Sequence, residues 1–288
     1  MQTVAQMYSR VPFPSRSQEG VRRMTQFFSE ELRRLNINLE AFRDRPVLDA
    51  GCGTGEIASF VASHGPAVVG LDFSEGSLEY AKRTSENVRF LRGSILDAPL
   101  RTEQFDFIYS HMVLHHTGDP ERGVGELSRV LRPGGLLLFK VFSLLGRGGL
   151  VRDKSALWKL YFVRALCEDV EARVRLGERL FYRPGQEEEH GLTRAAYLHD
   201  NFGVPIVSHH TFGQALKWLK RAGLTYVASD PPMEFGKMVE GFQGRGALLR
   251  RMGLHRLLRN PSPFSRMLSQ AALLAMQGVT MFTIVGKK

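Results

Sequence analysis

Cysteine is scarce in this 288-residue chain, which carries only Cys52 and Cys167. Two distant thiols cannot staple a small secreted scaffold, so a disulfide framework is excluded and a reducing cytoplasm is the expected setting. Long apolar runs are missing too. No stretch approaches the roughly 18 apolar residues of a membrane span. Arg10, Arg16, Arg22 and Arg23 interrupt the region where a signal peptide would place its apolar core. No His/Cys pair shows zinc-ligand spacing with a matching partner, so no metal site is expected. Internal repeats and low-complexity segments are also absent. What remains is 43% apolar, enough to bury a full core as one large domain or a domain with an elaboration.

Charge is uneven. The net is +10, yet residues 46–146 carry 9 Lys/Arg against 12 Asp/Glu. Residues 233–277 carry 7 basic residues against Glu234 and Glu240. The basic excess therefore lies away from the acidic half. Such a surface suits nucleic acid, anionic lipid or an acidic substrate, although a solvated basic face is the simpler reading.

The densest signal is Val47-Leu48-Asp49-Ala50-Gly51-Cys52-Gly53-Thr54-Gly55. An apolar strand ends in an acid, three glycines alternate, and residues 56–62 follow with helical spacing. Glycine serves where the chain turns sharply or a ligand touches backbone, and the helix start beyond offers unpaired N–H groups. A second apolar strand, Ala67-Val68-Val69-Gly70-Leu71-Asp72, places a carboxylate where ribose hydroxyls can be bound. The glycine spacing is G-x-G-x-G, unlike the G-x-G-x-x-G of dinucleotide enzymes. Asp49 would meet a phosphate badly but could meet the cationic amino group of a methionine moiety. The charge argument favours S-adenosyl-L-methionine over NAD.

With these residues in view, the chain resembles the class I S-adenosylmethionine-dependent methyltransferases, in particular the small-molecule (type 11) group. The resemblance runs through residues 40–142. It includes Val47–Gly55, Val68–Asp72, Phe90–Ser94, Phe105–Ser110, Leu114-His115-His116 and Leu131-Arg132-Pro133-Gly134-Gly135. It implies a Rossmann-like α/β fold, a doubly wound, mostly parallel seven-stranded sheet with helical cap insertions. S-adenosyl-L-homocysteine would be the product. By the same resemblance Asp49, Ala50, Gly51 and Gly53 hold the methionine end, Asp72 and Phe73 the ribose and adenine face. Ser94 and Ile95 fall at the adenine edge, where the family usually has an acid in the position of Ser94, and Ser110 lies beside the methyl group. Asp97 is a possible substitute for that acid.

Four regions follow from the pattern. Residues 1–45 form an N-terminal arm and one helix from Glu19 to about Leu35, with Tyr8 and Phe13 as candidates for a lid over the cofactor. Residues 46–143 are the cofactor-binding core. Residues 144–210 are a helical cap over the acceptor pocket, with one amphipathic helix over 156–172 and a polar turn at 186–189. Residues 211–288 complete the sheet, interrupted by a basic helical insertion at 231–277. Within it, 247–259 pairs leucines with arginines, a pattern compatible with peripheral lipid contact.

Histidine is the natural base near neutral pH. His111, directly after Ser110, is the leading catalytic candidate, with His199 in the cap and Tyr8 in the arm behind it. His115 and His116 carry a smaller claim, and His209 and His210 read as surface or capping residues before a helix. Ser229-Asp230-Pro231-Pro232-Met233 reads as a proline turn rather than a base-stacking motif, since it follows the sixth strand and ends in Met. The expected function is methyl transfer to a small-molecule acceptor at N, O or C. The alternatives are an RNA- or protein-directed methyltransferase docking through the basic additions and a non-catalytic S-adenosylmethionine-binding protein. The additions lack the interleaved aromatics of an RNA-binding surface, which argues against nucleic acid. Oligomeric state is not legible.

Overall fold

The computed structural model describes residues 16–144, 156–189, 191–234, 237, 262–265, 267–269 and 281–288. Tyr8, Phe13 and the basic stretch 247–259 lie outside them, as does most of 231–277.

The described chain begins with α1 (Gln18–Arg34), whose N-cap Ser17 accepts the Gly20 N–H. Alternating elements follow: β1 (Pro46–Ala50), α2 (Glu56–Ser63), β2 (Ala67–Asp72), α3 (Glu75–Thr84), β3 (Val88–Arg92), β4 (Phe105–His111), α4 (Pro120–Val130) and β5 (Leu131–Phe142). Four helical pieces come next: α5 (Ala156–Leu166), α6 (Val170–Phe181), α7 (Gln186–Glu189) and α8 (Arg194–Leu198). Then come α9 (Phe212–Arg221), β6 (Thr225–Asp230) and β7 (Met281–Lys287).

The seven strands lie in the order β3-β2-β1-β4-β5-β7-β6. The first five are parallel and only β7 runs antiparallel, to both neighbours. Parallel strands joined through helices bury both sheet faces. One core, with Leu48, Leu71, Ile108, Leu137 and Phe139, packs under α4 and α9. The other, with Val47, Val68, Phe107 and Tyr109, packs under α1 and α2. The carboxyl ends of β1 to β5 therefore share one edge, the place where ligands bind in such sheets.

Two expectations change here. The helix expected over 156–172 is two helices, because Asp169 caps α6 by accepting the Ala172 N–H at 2.7 Å and so ends the run. Residues 186–189, expected as a polar turn, form a single helical turn. Residues 156–203 also have an apolar cluster of their own, built on Val163, Val174, Tyr197, Leu198 and Phe202.

Candidate cofactor and acceptor site

β1 delivers Asp49 and Ala50 to the shared edge, and the chain then turns through Gly51, whose φ of 90° suits glycine. A Cβ there would lie 2.5 Å from both methyl groups of Val113. The glycine turn is thus pressed against the loop that follows β4. Its backbone is pinned from β2: Gly51 and Cys52 N–H donate to the Leu71 carbonyl, and Gly53 N–H donates to Asp72 Oδ2 at 2.9 Å. Asp72 Oδ1 accepts from the Ser74 N–H at 2.8 Å, where α3 begins.

Three carboxyls converge on this corner. Burial raises Asp49 well above its ordinary range, with Asp72 and Glu56 adding to the rise. Burial raises Glu56 and Asp72 as well, the first held by Thr54 and the second by its backbone donors. Clustered, desolvated carboxyls repel an anionic ligand and are relieved by a cationic one. Ser110, fully buried at the end of β4, has a hydroxyl with no partner among the described residues. An orphaned hydroxyl beside an acid-lined turn fits a ligand with polar atoms and positive centres, as S-adenosylmethionine has.

The adenine-edge candidates are placed less directly. Ser94 Oγ accepts the Leu96 N–H at 3.1 Å and so shapes its own turn. The Ile95 side chain is buried in the core beside Leu114 and Val124. Only the backbone of that residue is free to meet a ligand. Phe73 follows Asp72 directly at the strand end.

His111 is the last residue of β4, opposite Lys140 of β5. Its side chain is 6% exposed, and its Nε2 lies 3.1 Å from Glu31 Oε2 of α1. Glu31 Oε1 accepts from Lys140 Nζ at 2.7 Å and from the Thr283 hydroxyl of β7. Burial alone would raise the Glu31 carboxyl, but His111 and Lys140 outweigh it and bring it down to about 2. Burial, with Lys140 and Arg16 close by, lowers His111 against the pull of Glu31. At neutral pH the geometry holds an ionised Glu31, its Lys140 counter-ion and a neutral imidazole.

Beyond β4, His115 and His116 sit in a 3₁₀ turn. His115 is fully buried, its ring 4.3 Å from Phe142, and neither nitrogen has a partner among the described residues. His116 Nδ1 bonds the Ile206 carbonyl at 2.8 Å, and burial pushes this imidazole down to about 4. His209 and His210 were expected as surface or capping residues; His209 is half-buried and His210 buried. His210 is 7% exposed, its Nε2 is 2.7 Å from Ser208 Oγ, and burial lowers it to about 4. The reason is backbone pairing: His210 N–H donates to the Phe142 carbonyl and its own carbonyl accepts from Leu144, which seats the segment against β5. Among the described residues, no three His, Cys, Asp or Glu side chains are arranged to hold a metal ion.

His199 is turned into the helical region instead: Nδ1 bonds the Ala195 carbonyl at 2.9 Å and Nε2 lies 3.8 Å from Glu171. Its neighbour Asp200 is half-buried, and desolvation raises that carboxyl to about 6 while Arg16 works against the rise. Asp230 of the proline turn pairs with Arg34 at 2.8 Å.

Glu31 and Lys140 went unread in the sequence. The available signal was an acid inside the apolar stripe Phe28, Leu32, Leu35, and a lysine inside the apolar run Leu136–Phe142.

Comparison with known proteins agrees with this geometry. Residues 48–139 match the family described as "Methyltransferase domain". A demethylmenaquinone methyltransferase of Clavibacter sepedonicus is 32% identical over 176 residues, 57% of this chain and 71% of that protein. A malonyl-[acyl-carrier protein] O-methyltransferase of Pectobacterium atrosepticum is 34% identical over 113 residues, 39% of this chain and 43% of that protein. A crystal structure of an S-adenosylmethionine-dependent methyltransferase from Mesorhizobium loti shares the fold, with a TM-score of 0.51 and 19% identity over 87% of this chain and 95% of that one. The acid-lined glycine turn, the parallel sheet and these relatives lead to one conclusion: the chain belongs to the class I S-adenosylmethionine-dependent methyltransferases, enzymes whose methyl donor is S-adenosylmethionine.

Proposed function

We propose that this enzyme transfers the methyl group to a small-molecule acceptor, with His111 as the acceptor-side base. The observation that carries the reading is how residues 206–210 are tied to the segments that follow β4 and β5. Ser208 N–H and Oγ both donate to the His115 carbonyl, the Ile206 carbonyl takes His116 Nδ1, and His210 pairs with Phe142. A segment held this closely beside the carboxyl ends of β4 and β5 supports a small acceptor over a folded macromolecule. The relative from Clavibacter sepedonicus acts on demethylmenaquinone by its name, which supports the same class.

S-adenosylmethionine, when bound, supplies a methyl carbon activated by a sulfonium leaving group for in-line displacement. The chain's task is to orient, shield and, for a hydroxyl or ring acceptor, remove a proton. Asp49 and the backbone of Gly51 and Gly53 would hold the methionine end, and Asp72 the ribose. Ser110 Oγ would sit beside the reacting carbon. His111, neutral and adjacent to Ser110, has a lone pair to take the acceptor's proton, an effect typically worth about 10²–10⁴-fold. His199 and Tyr8 stand behind it as alternative bases.

The test uses S-adenosylmethionine labelled in its methyl group, with reduced demethylmenaquinone, malonyl-acyl carrier protein and structured RNA as separate acceptors. Label in the quinol is the expected result. Label in the carrier-protein conjugate would favour a protein-linked acceptor, as the relative from Pectobacterium atrosepticum uses by its name. Label in RNA alone would overturn the proposal. With the accepted substrate, His111→Ala should lower turnover about 10²–10⁴-fold and leave S-adenosylhomocysteine affinity nearly intact. A loss below tenfold would remove His111 as the base.

A further inference from the structure

α1 reaches across three neighbouring strands with one carboxylate. His111, Lys140 and Thr283 occupy one register row, His111 opposite Lys140 and Lys140 opposite Thr283. All three turn to Glu31, whose side chain is 1% exposed. Phe28, one turn earlier on α1, lies edge-on to the His111 ring at 5.2 Å. Phe27 lies under the Lys140 ammonium at 4.6 Å. A buried carboxylate costs several kcal/mol unless its lone pairs are taken up. Here three donors take them up.

We infer that Glu31 is a positioning residue for methyl transfer: it fixes His111 as the Nε2–H tautomer and leaves Nδ1 as the ring's only lone pair. The inference rests on the reading of His111 as base and goes beyond it by naming the nitrogen and what selects it. An ionised carboxylate has no proton to give, so the 3.1 Å contact requires the hydrogen on His111 Nε2. A neutral imidazole carries one N–H, so Nδ1 is bare. The charges around His111 agree with a neutral ring: Glu31 of α1 faces it, Lys140 of β5 and Arg16 ahead of α1 oppose its protonation, and His115 lies beyond β4. The carboxylate–imidazole arrangement is the one that orients a general base in many hydrolases, here with the carboxylate on a helix outside the nucleotide-binding core.

Glu31→Gln tests the inference because the network dictates how the amide must sit. Oε1 takes two donors, Lys140 and Thr283, so the amide oxygen belongs there. The amide NH₂ then faces His111 and can only donate. His111 Nε2 must become the acceptor, and its proton moves to Nδ1. Ring ¹⁵N shifts of labelled histidine, assigned by the signals lost in His111→Ala, read the tautomer directly with S-adenosylhomocysteine bound.

The expected result at pH 7.5 is Nε2–H in the wild type and Nδ1–H in Glu31→Gln. Glu31→Asp, which can only accept, should keep Nε2–H and decides the matter with the wild-type spectrum if Glu31→Gln does not fold. An Nδ1–H tautomer in the wild type, or the same tautomer in wild type and Glu31→Gln, would overturn the inference. Turnover separates it from the base reading. Glu31→Gln should lose activity about as His111→Ala does, and the double variant should lose no more than either. A reversed tautomer with unchanged turnover would retire His111 as base and leave Glu31's control of the ring standing. Lost turnover with an unchanged tautomer would retire Glu31's control alone.

Discussion

The carboxylate of Asp72 accepts two backbone N–H groups, from Gly53 in the glycine turn and Ser74 at the start of α3. Each oxygen keeps a second lone pair, so under the proposed placement of the cofactor one side chain would both shape the turn and bind the ribose hydroxyls. Asp72→Ala removes both functions. Hydrogen bonds to a charged acceptor contribute about 1.5–3 kcal/mol, so S-adenosylhomocysteine affinity should fall by one to two orders of magnitude. Asp72→Asn separates the roles, because an amide oxygen can still hold one of the two N–H groups but its NH₂ must turn away from the other. Calorimetric titration of wild type and both variants should rank them wild type, Asn, Ala. Equal affinity in wild type and Asp72→Ala would contradict the placement of the ribose at β2. Gly51 is the complementary case: its positive φ was readable as a turn glycine, whereas its contact with Val113, 62 positions later in the chain, was not.

At the scale of elements, α1 is a strut across the site's edge. Its middle is held by Glu31, and its C-terminal turn by the ion pair of Arg34 with Asp230. Its start is held by the helical region: Ser17 N–H donates to the Gly191 carbonyl, Arg16 pairs with Leu192, and a Cβ on Gly20 would stand 2.5 Å from the Gly191 oxygen. Only glycine allows that approach. Gly20→Ala should therefore displace the helix start and destabilise the protein by about 1–3 kcal/mol, read as a lower urea midpoint with little change in slope. An unchanged midpoint would mean that the contact yields freely. The sheet and the glycine turn were legible because strand periodicity and glycine chemistry are local. The Glu31–Lys140 pair was not, since it joins residues 109 apart in sequence. Neither was the seating of His209 and His210, which depends on Phe142 offering its last carbonyl to an extended segment rather than to a strand. The break between α5 and α6 was readable in principle, because Asp169 is a good N-cap, but the apolar spacing on either side of it disguised the stop.

For the molecule as a whole, buried titrating groups set how stability varies with pH. His116 and His210 are both lowered to about 4 by burial, and His115 is pushed well below the ordinary histidine range for the same reason. A base with a depressed folded pKa contributes stability that is complete above its unfolded value near 6.5. That stability is lost as pH falls toward the folded value. His116 alone, shifted by roughly 2.5 units, corresponds to about 3 kcal/mol at the most, and neighbouring histidines titrate together rather than independently. Asp200 has the opposite sign. Burial raises it to about 6, so its neutral form is favoured by folding, and the stability it contributes is present below about pH 4 and lost as pH rises through 6. Burial also raises Asp49, Glu56 and Asp72, which therefore act with Asp200 against the histidines, and between pH 6.5 and 4 the two sets pull the unfolding free energy in opposite directions. A further loss, from Glu31, should begin only below about pH 4.5, because that carboxyl is held down to about 2. Asp200→Asn isolates one part of this balance. At pH 7.5 it should be more stable than the wild type by up to about 3 kcal/mol, with the difference closing below about pH 4. Urea unfolding of wild type and variant across pH 4–8 checks this difference. An Asp200→Asn variant no more stable than the wild type at pH 7.5 would show that water reaches the Asp200 carboxyl.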